Sequence, residues 1–352
     1  MIKKALVALA ALSLLTLTAC GGGPSGSSGD SNTLNIYAWA GEIPDSVVQA
    51  FTKETGIKVQ MDTFDSNETM IAKLAAGNSG YDLVEPSQYA VQQLVGQQLI
   101  EELDHSKIEG LQNLSKRFAD PSYDPGGKHS VPWVWGTTGL IYNAKCTGKP
   151  VDSWQALFDP AYKGRIYMLD NMLAAYIVGL QILGYKADST DQSQIEAATN
   201  KLQEQKSLLA GYNSTNYADL VSQGQACVSE AWGGSSTAKV VESNPDVKYV
   251  IPKEGGTIWT DGFAIAKNAE HSDAAYKFIS FTLRPEIAAM ATDDGSMASV
   301  NDAAQAKITN KGLLENPAVY APPASVENAE FVVDPGKAMT YFQQGWTKVK
   351  SS

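Results

Sequence analysis

The chain has 352 residues, a formal net charge of -11 at pH 7 and 43% hydrophobic residues. That acidic balance argues against a nucleic-acid partner, because phosphate backbones select basic surfaces. It is compatible with a cationic ligand, although many exported soluble proteins are acidic.

In chain order, Lys3 and Lys4 come first, then an apolar and hydroxyl run from Ala5 to Thr18, then Leu17-Thr18-Ala19-Cys20. A charged start, a short apolar stretch and a small residue at the cut make a secretory signal. The run is shorter than the roughly 20 apolar residues of a spanning helix. A Cys directly after the small residue resembles a bacterial lipobox. Residues 1–19 are therefore expected to be a lipoprotein signal peptide, with Cys20 as the lipidated first residue of the mature chain. The alternative is a plain signal peptide with an incidental Cys. Residues 20–32, the lipidated Cys and a Gly/Ser-rich stretch, read as a flexible tether. No other stretch is apolar enough to span, so the expected anchor is lipid only, in the periplasm or on the outer face of the cell membrane.

The body of roughly 320 residues is long enough for about two domains. Leu34 to Trp39 alternates like a strand. Pro44 and Asp45 open a helix that Gly56 closes. Lys58 to Thr63 is a second strand, and Asn67 to Ala76 a helix stopped by Gly77. Asp82-Leu83-Val84 is a short buried strand, and Ser87 caps the next helix. The grammar recurs: strand Gly164 to Asp170, a helix to Leu183, strands Ala226 to Ala231, Val247 to Ile251 and Thr257 to Ala266. Helices at Ser272 to Leu283 and Gly336 to Val349 finish the chain. Strand-helix alternation predicts an α/β fold with a parallel sheet covered on both faces. Cys146 and Cys227 form an even pair in an exported chain. They either join in a disulfide or stay two buried thiols, and sequence separation leaves both open.

Two α/β lobes would place a cleft between them, with loops from C-terminal strand ends facing it. Trp39 and Trp232 fall at such ends. Trp259 opens the Thr257 to Ala266 strand, just before Asp261, and Ser87 and Tyr89 follow the Asp82 to Val84 strand. Aromatic faces attract a cation by about 0.5–2 kcal/mol each, and a carboxylate adds a charge-assisted hydrogen bond. Such a set suits an alkylammonium with a methylene chain. Core packing is the competing reading, preferred for Trp133, Trp135, Trp154 and Trp346.

No catalytic residue, cofactor or metal is expected. The three histidines, His105, His129 and His271, are isolated, without metal-ligand spacing. Gly77-Asn78-Ser79-Gly80 does not meet the nucleophile-elbow pattern, and no phosphate-cradling glycine motif is present. A hydrolytic enzyme is the weakest reading, and a structural role leaves the strand-end aromatics unexplained.

The chain resembles the periplasmic spermidine/putrescine-binding protein family of ABC importers over essentially the whole mature body. The matching stretches are Ile36-Tyr37-Ala38-Trp39, Phe51 to Val59, Ser66 to Met70, Tyr81 to Val84 with Pro86-Ser87, Tyr162-Lys163-Gly164, Lys253 to Gly256, Trp259 with Asp261, and Leu283-Arg284-Pro285. The resemblance implies a two-lobed type II periplasmic binding protein fold that closes on its ligand by hinge motion. Expected boundaries are 33–138 with 262–322 for lobe 1, 139–261 for lobe 2, and a C-terminal segment, 323–352, packing on both. Thr137-Thr138-Gly139 and Thr260-Asp261-Gly262 are the expected crossings. The implied ligand contacts are Trp39, Ser87, Tyr89, Trp232, Trp259 and Asp261.

Several positions depart from the family pattern. A hydroxyl residue, an acid and a Tyr are replaced by Ala40, Gly41 and Glu42. An acidic pair is replaced by Asn171 and Ala174, a Gln by Val332 and a Tyr by Ser296. A buried ammonium without a paired acid costs several kcal/mol, and other acids could substitute. Glu85 and Asp170 are near, but Glu42, close to Trp39, and Glu230, on the Trp232 side of an extended strand, are the favoured extra contacts. The expected function is capture of a polyamine and its delivery, as a monomer, to an ABC transporter permease. The alternative solute is another small amine or a zwitterion.

Overall fold

The first half of the chain folds as its local signals dictate. The computed structural model describes residues 32–327, 329 and 331–352. Cys20 and the tether to residue 31 lie outside the described residues. Helix Asp45–Thr55 follows Pro44 and ends at Gly56, whose positive φ of 73° lets its N–H reach the Thr52 carbonyl. Helix Asn67–Ala75 is capped by Ser66, which accepts from the Thr69 N–H. The intervening strands β1 (Thr33–Trp39), β2 (Lys58–Phe64) and β3 (Leu83–Val84) pair in parallel.

Strand β4 (Val131–Asn143) is the longest and was not anticipated from sequence. Beyond it come β5 (Ile166–Met168), β6 (Leu209–Tyr212), β7 (Val228–Trp232), β8 (Val247–Val250), β9 (Thr257–Ile265) and β10 (Ala298–Ser299). Among the described residues the strands connect in the order β2-β1-β3-β9-β4-β7-β5-β6, with β8 and β10 also on β4. The expected parallel sheet is corrected here to a mixed one. β4 runs antiparallel to β7, β8, β9 and β10, and β9 antiparallel to β3.

This arrangement explains how the two halves are joined. The first part of β4 lies against β9 and β10, and its second part against β7 (from Thr138 to Tyr142) and β8 (from Leu140 to Asn143). The expected crossing residues lie within strands: Thr137 pairs with Ile258, and Thr260 with Trp135. Gly139 and Gly262 serve close strand approach. A Cβ on Gly139 would lie 2.5 Å from the Val250 carbonyl oxygen, and one on Gly262 2.6 Å from that of Val131.

Residues Asn32–Ser352 form one compact unit. One core groups Leu34, Ile36, Val47, Phe51, Phe263 and Phe278. Another groups Ile141, Ala218, Val221, Ala231, Val247 and Tyr249. A third runs between them, from Tyr37, Phe64 and Tyr89 to Leu140, Trp154, Tyr176 and Phe342. Helix Met339–Ser351 packs on helices Met172–Gln181 and Gln192–Gln205. Cys146 and Cys227 are joined by a disulfide across 81 positions, beside the Asn143 N–H bond to the Cys227 carbonyl. Closing so long a loop in the unfolded chain stabilises the fold by about 2–4 kcal/mol.

Candidate functional site

The register around β4 gathers the expected contacts. Trp259 stands opposite Gly136, Trp232 opposite Thr138, Asp261 opposite Val134 and Glu230 opposite Leu140. These β4 positions alternate, and directly opposed residues share a face. All four side chains thus stand on one side of the sheet. The Trp259 indole rests on Gly136, where a Cβ would lie only 2.2 Å from its Cζ2.

The second wall comes from the ends of β1 and β3. Ser87 bridges to Asp261, and its hydroxyl donates to Asp261 Oδ1 at 2.5 Å. Asn67 Nδ2 donates to Ser87 Oγ at 3.0 Å and to the Tyr89 hydroxyl at 2.9 Å, fixing both. Its Oδ1 accepts the Ser87 N–H. Trp39 packs tilted on Phe64 with ring centroids 4.6 Å apart. Its main-chain N–H donates to Glu85 Oε2 at 3.1 Å. Its indole N–H lies toward Asp261 and steadies that carboxylate, but falls outside hydrogen-bond geometry.

Three carboxylates converge here. Asp261 is 4% exposed and Glu85 fully buried, while Glu42 is half-buried with Oε2 enclosed. Burial pushes the Asp261 carboxyl up to about 7, against the pull of the Ser87 hydroxyl and Trp39. Glu42 and Glu85 are held well above the usual range by burial first, then by the Asp261 charge. Like charges in a dry volume cannot all ionise without a counterion.

Glu230 has a different setting. It is fully buried, with Oε2 accepting the Leu169 N–H at 3.1 Å. Burial raises it to about 8, although the Leu169 N–H opposes this. Asn171 caps helix Met172–Gln181 by accepting the Ala174 N–H. Ala174 is buried in the core. Val332 contributes a carbonyl to Gln88, and Ser296 turns the chain at φ 58°.

Sequence reasoning missed Asn67 and passed over Glu85. Asn67 opens a capped helix, and Glu85 directly follows a buried strand, so both occupied recognisable end positions. Trp133 and Trp154 are buried as expected for core residues, and Trp135 and Trp346 partly buried. A separate cavity of about 630 Å³, lined by Gln181, Tyr185, Lys253, Glu254 and Phe331, contains none of the expected contacts.

Four of the converging side chains carry a buried polar atom without a protein partner among the described residues. These are Trp39 Nε1, Glu42 Oε2, Glu85 Oε1 and Trp259 Nε1. Each such atom costs about 1–3 kcal/mol if nothing completes it, and these four gather around Asp261.

The model of the bacterial extracellular solute-binding protein family matches residues 46–319. The chain belongs to that family. It is 35% identical to the spermidine/putrescine-binding periplasmic protein of Escherichia coli K12, over 92% of each chain. A solved putative spermidine/putrescine ABC transporter protein from Listeria monocytogenes is 35% identical, with a TM-score of 0.84 over 91% of this chain and 99% of that one. The spermidine/putrescine substrate-binding protein PotD of Streptococcus pneumoniae is 31% identical, with a TM-score of 0.78 over 90% and 99%. The fold is thus the two-lobed α/β fold of solute-binding proteins. The chain is a binding protein and not an enzyme.

Two outcomes are expected. Gly136→Ala forces a methyl into the Trp259 ring, a clash costing about 1–3 kcal/mol. Its melting temperature should fall and its tryptophan emission shift; unchanged spectra and melting would contradict the seating of Trp259. Glu230 has its folded value raised to about 8 from an ordinary 4.5. The stability of the neutral acid is complete below about 4.5 and lost as pH rises through 8. Glu230→Gln should therefore melt higher than the parent at pH 9 and much closer to it at pH 5, and the reverse order would refute the burial.

Proposed function

We propose that this protein captures a polyamine of the spermidine or putrescine kind outside the cytoplasm and delivers it to an ABC importer. The observation that carries this reading is the convergence of Asp261, Glu42 and Glu85 with Trp39 and Trp259 around buried polar atoms that lack protein partners. A polyamine supplies ammonium groups to the acids and methylenes to the rings. The relatives' polyamine names point the same way.

In this reading Trp39, Trp232 and Trp259 sandwich the chain, and Asp261, oriented by Ser87, pairs an amine. Tyr89 bounds the site, and Glu42 and Glu230 supply further acid. The lobes, 33–138 with 262–322 and 139–261, close around the solute by bending along β4 and β9, with 323–352 packed against them. The protein acts as a monomer. It is tethered through lipidated Cys20 and meets the permease in its closed form.

A second solute class, a shorter amine or a zwitterion, is favoured by one observation. Asn171, where the family carries an acid, is neutral and spends its side-chain oxygen on the helix cap. One end of the cleft then lacks a counterion for a second ammonium.

Calorimetry of the unit Asn32–Ser352 with putrescine, spermidine, spermine and zwitterionic amines decides between them. Micromolar or tighter binding, about -8 kcal/mol, is expected for a polyamine. Its absence for all three would reject the polyamine reading and leave the receptor class intact. Asp261→Asn should cost about 2–5 kcal/mol, roughly 30-fold or more. Unchanged affinity would remove Asp261 from the site.

A further inference from the structure

We propose that Glu85 is a specificity-determining contact which, with Glu42 and Asp261, forms a subsite for one terminal alkylammonium group and gives up a proton when that group binds. This rests on the polyamine reading and deepens it, by fixing which lobe takes the charged end and how its charge is balanced.

Glu85 leaves β3 with its N–H on the Tyr37 carbonyl, so its backbone continues the ladder beside β1. Its Oε2 accepts the Trp39 N–H. Its Oε1 is buried and has no partner among the described residues. Ser87 stands on the same side of this extended segment, and its hydroxyl holds Asp261. Glu42 reaches the same place from the turn after β1, with Oε2 also unpartnered. Three elements thus aim acids at one point from different directions.

Among the described residues no ion pair involves Glu42, Glu85 or Asp261. The titratable groups around them, Tyr89 from helix Gln88–Gly96 and Tyr123, are held protonated by burial first, then by the charges of Glu68 on Tyr89 and Asp124 on Tyr123, with Asp261 adding to both. The remaining polar neighbours, Asn67, Ser87 and the Trp39 indole, are neutral. With no countercharge, the ligand-free site keeps at least one acid neutral. An arriving ammonium supplies the countercharge. A carboxyl O–H bond then breaks, its proton leaves to solvent, and the carboxylate accepts an N–H from the ligand.

A purely structural role for Glu85 is the competing explanation, since its Oε2 already holds the Trp39 turn. Glu85→Gln separates the two. The amide oxygen can still accept the Trp39 N–H, while the charge and the titrating proton are gone.

The test is calorimetry of the unit Asn32–Ser352 at pH 7 in two buffers of different ionisation enthalpy, with putrescine and with n-propylamine as probes. The parent should release about one proton per ammonium bound. Glu85→Gln should bind at least tenfold more weakly and release measurably less, while melting above the ligand-free parent at pH 8. Glu42→Gln should behave in the same direction. Equal affinity and equal proton release for parent and Glu85→Gln with both probes would overturn the subsite. So would lost affinity with unchanged proton release, which would leave Glu85 a positioning residue. Parent binding of propylamine with proton release but no binding of putrescine would keep the subsite and sink the polyamine reading.

Discussion

Beside Trp39 three acids converge, two buried and one half-buried, and among the described residues no ion pair neutralises them. Water would solvate each of them for little cost, but burial raises the energy of every ionised form, and Asp261 raises it further for Glu42 and Glu85. A fold that served only its own stability would place apolar side chains there. The proposed polyamine would supply what the acids and the neighbouring unpartnered indole N–H groups lack. The rest of the molecule can be read as the frame that holds this site together and its walls in register.

That frame depends on β4 and β9. One antiparallel pair sets Asp261 and Trp259, and the next strand over, β7, sets Trp232 and Glu230. Main-chain ladders fix these positions far more tightly than loops could. The glycines at 136, 139 and 262 let strand backbones and the Trp259 ring approach closely. β4 gives its first part to one group of strands and its last part to another. Any closure of the lobes must therefore bend or twist a continuous ladder, which favours a small, defined motion over free swinging.

Much of this was legible beforehand, for physical reasons that differ by residue. The first strands and helices carry caps, turns and alternation in their own sequence, and Ser66, Pro44 and Gly56 mark their ends. Strand β4 carries no such signal. Its run from Val131 to Asn143 is nearly continuous in apolar and small residues, includes Pro132, and is buried on both faces, so period-two alternation is absent. Most antiparallel pairings of the sheet involve β4 and were invisible for the same reason. Asp261 and the tryptophans could be picked out as strand-end residues. Glu85 could not be separated from a solvated surface acid, because only its tertiary neighbours bury it. For Glu230 the side of the strand was readable, whereas its partner, the Leu169 N–H just after the neighbouring strand β5, lies 61 positions away in sequence.

The most direct measurement is a crystal structure of the unit Asn32–Ser352 grown with putrescine. An ammonium nitrogen should lie within hydrogen-bond distance of Asp261, with the methylenes against Trp39 and Trp259. A polyamine found instead in the separate cavity of about 630 Å³ beside Lys253 and Phe331, with the three acids untouched, would contradict the account.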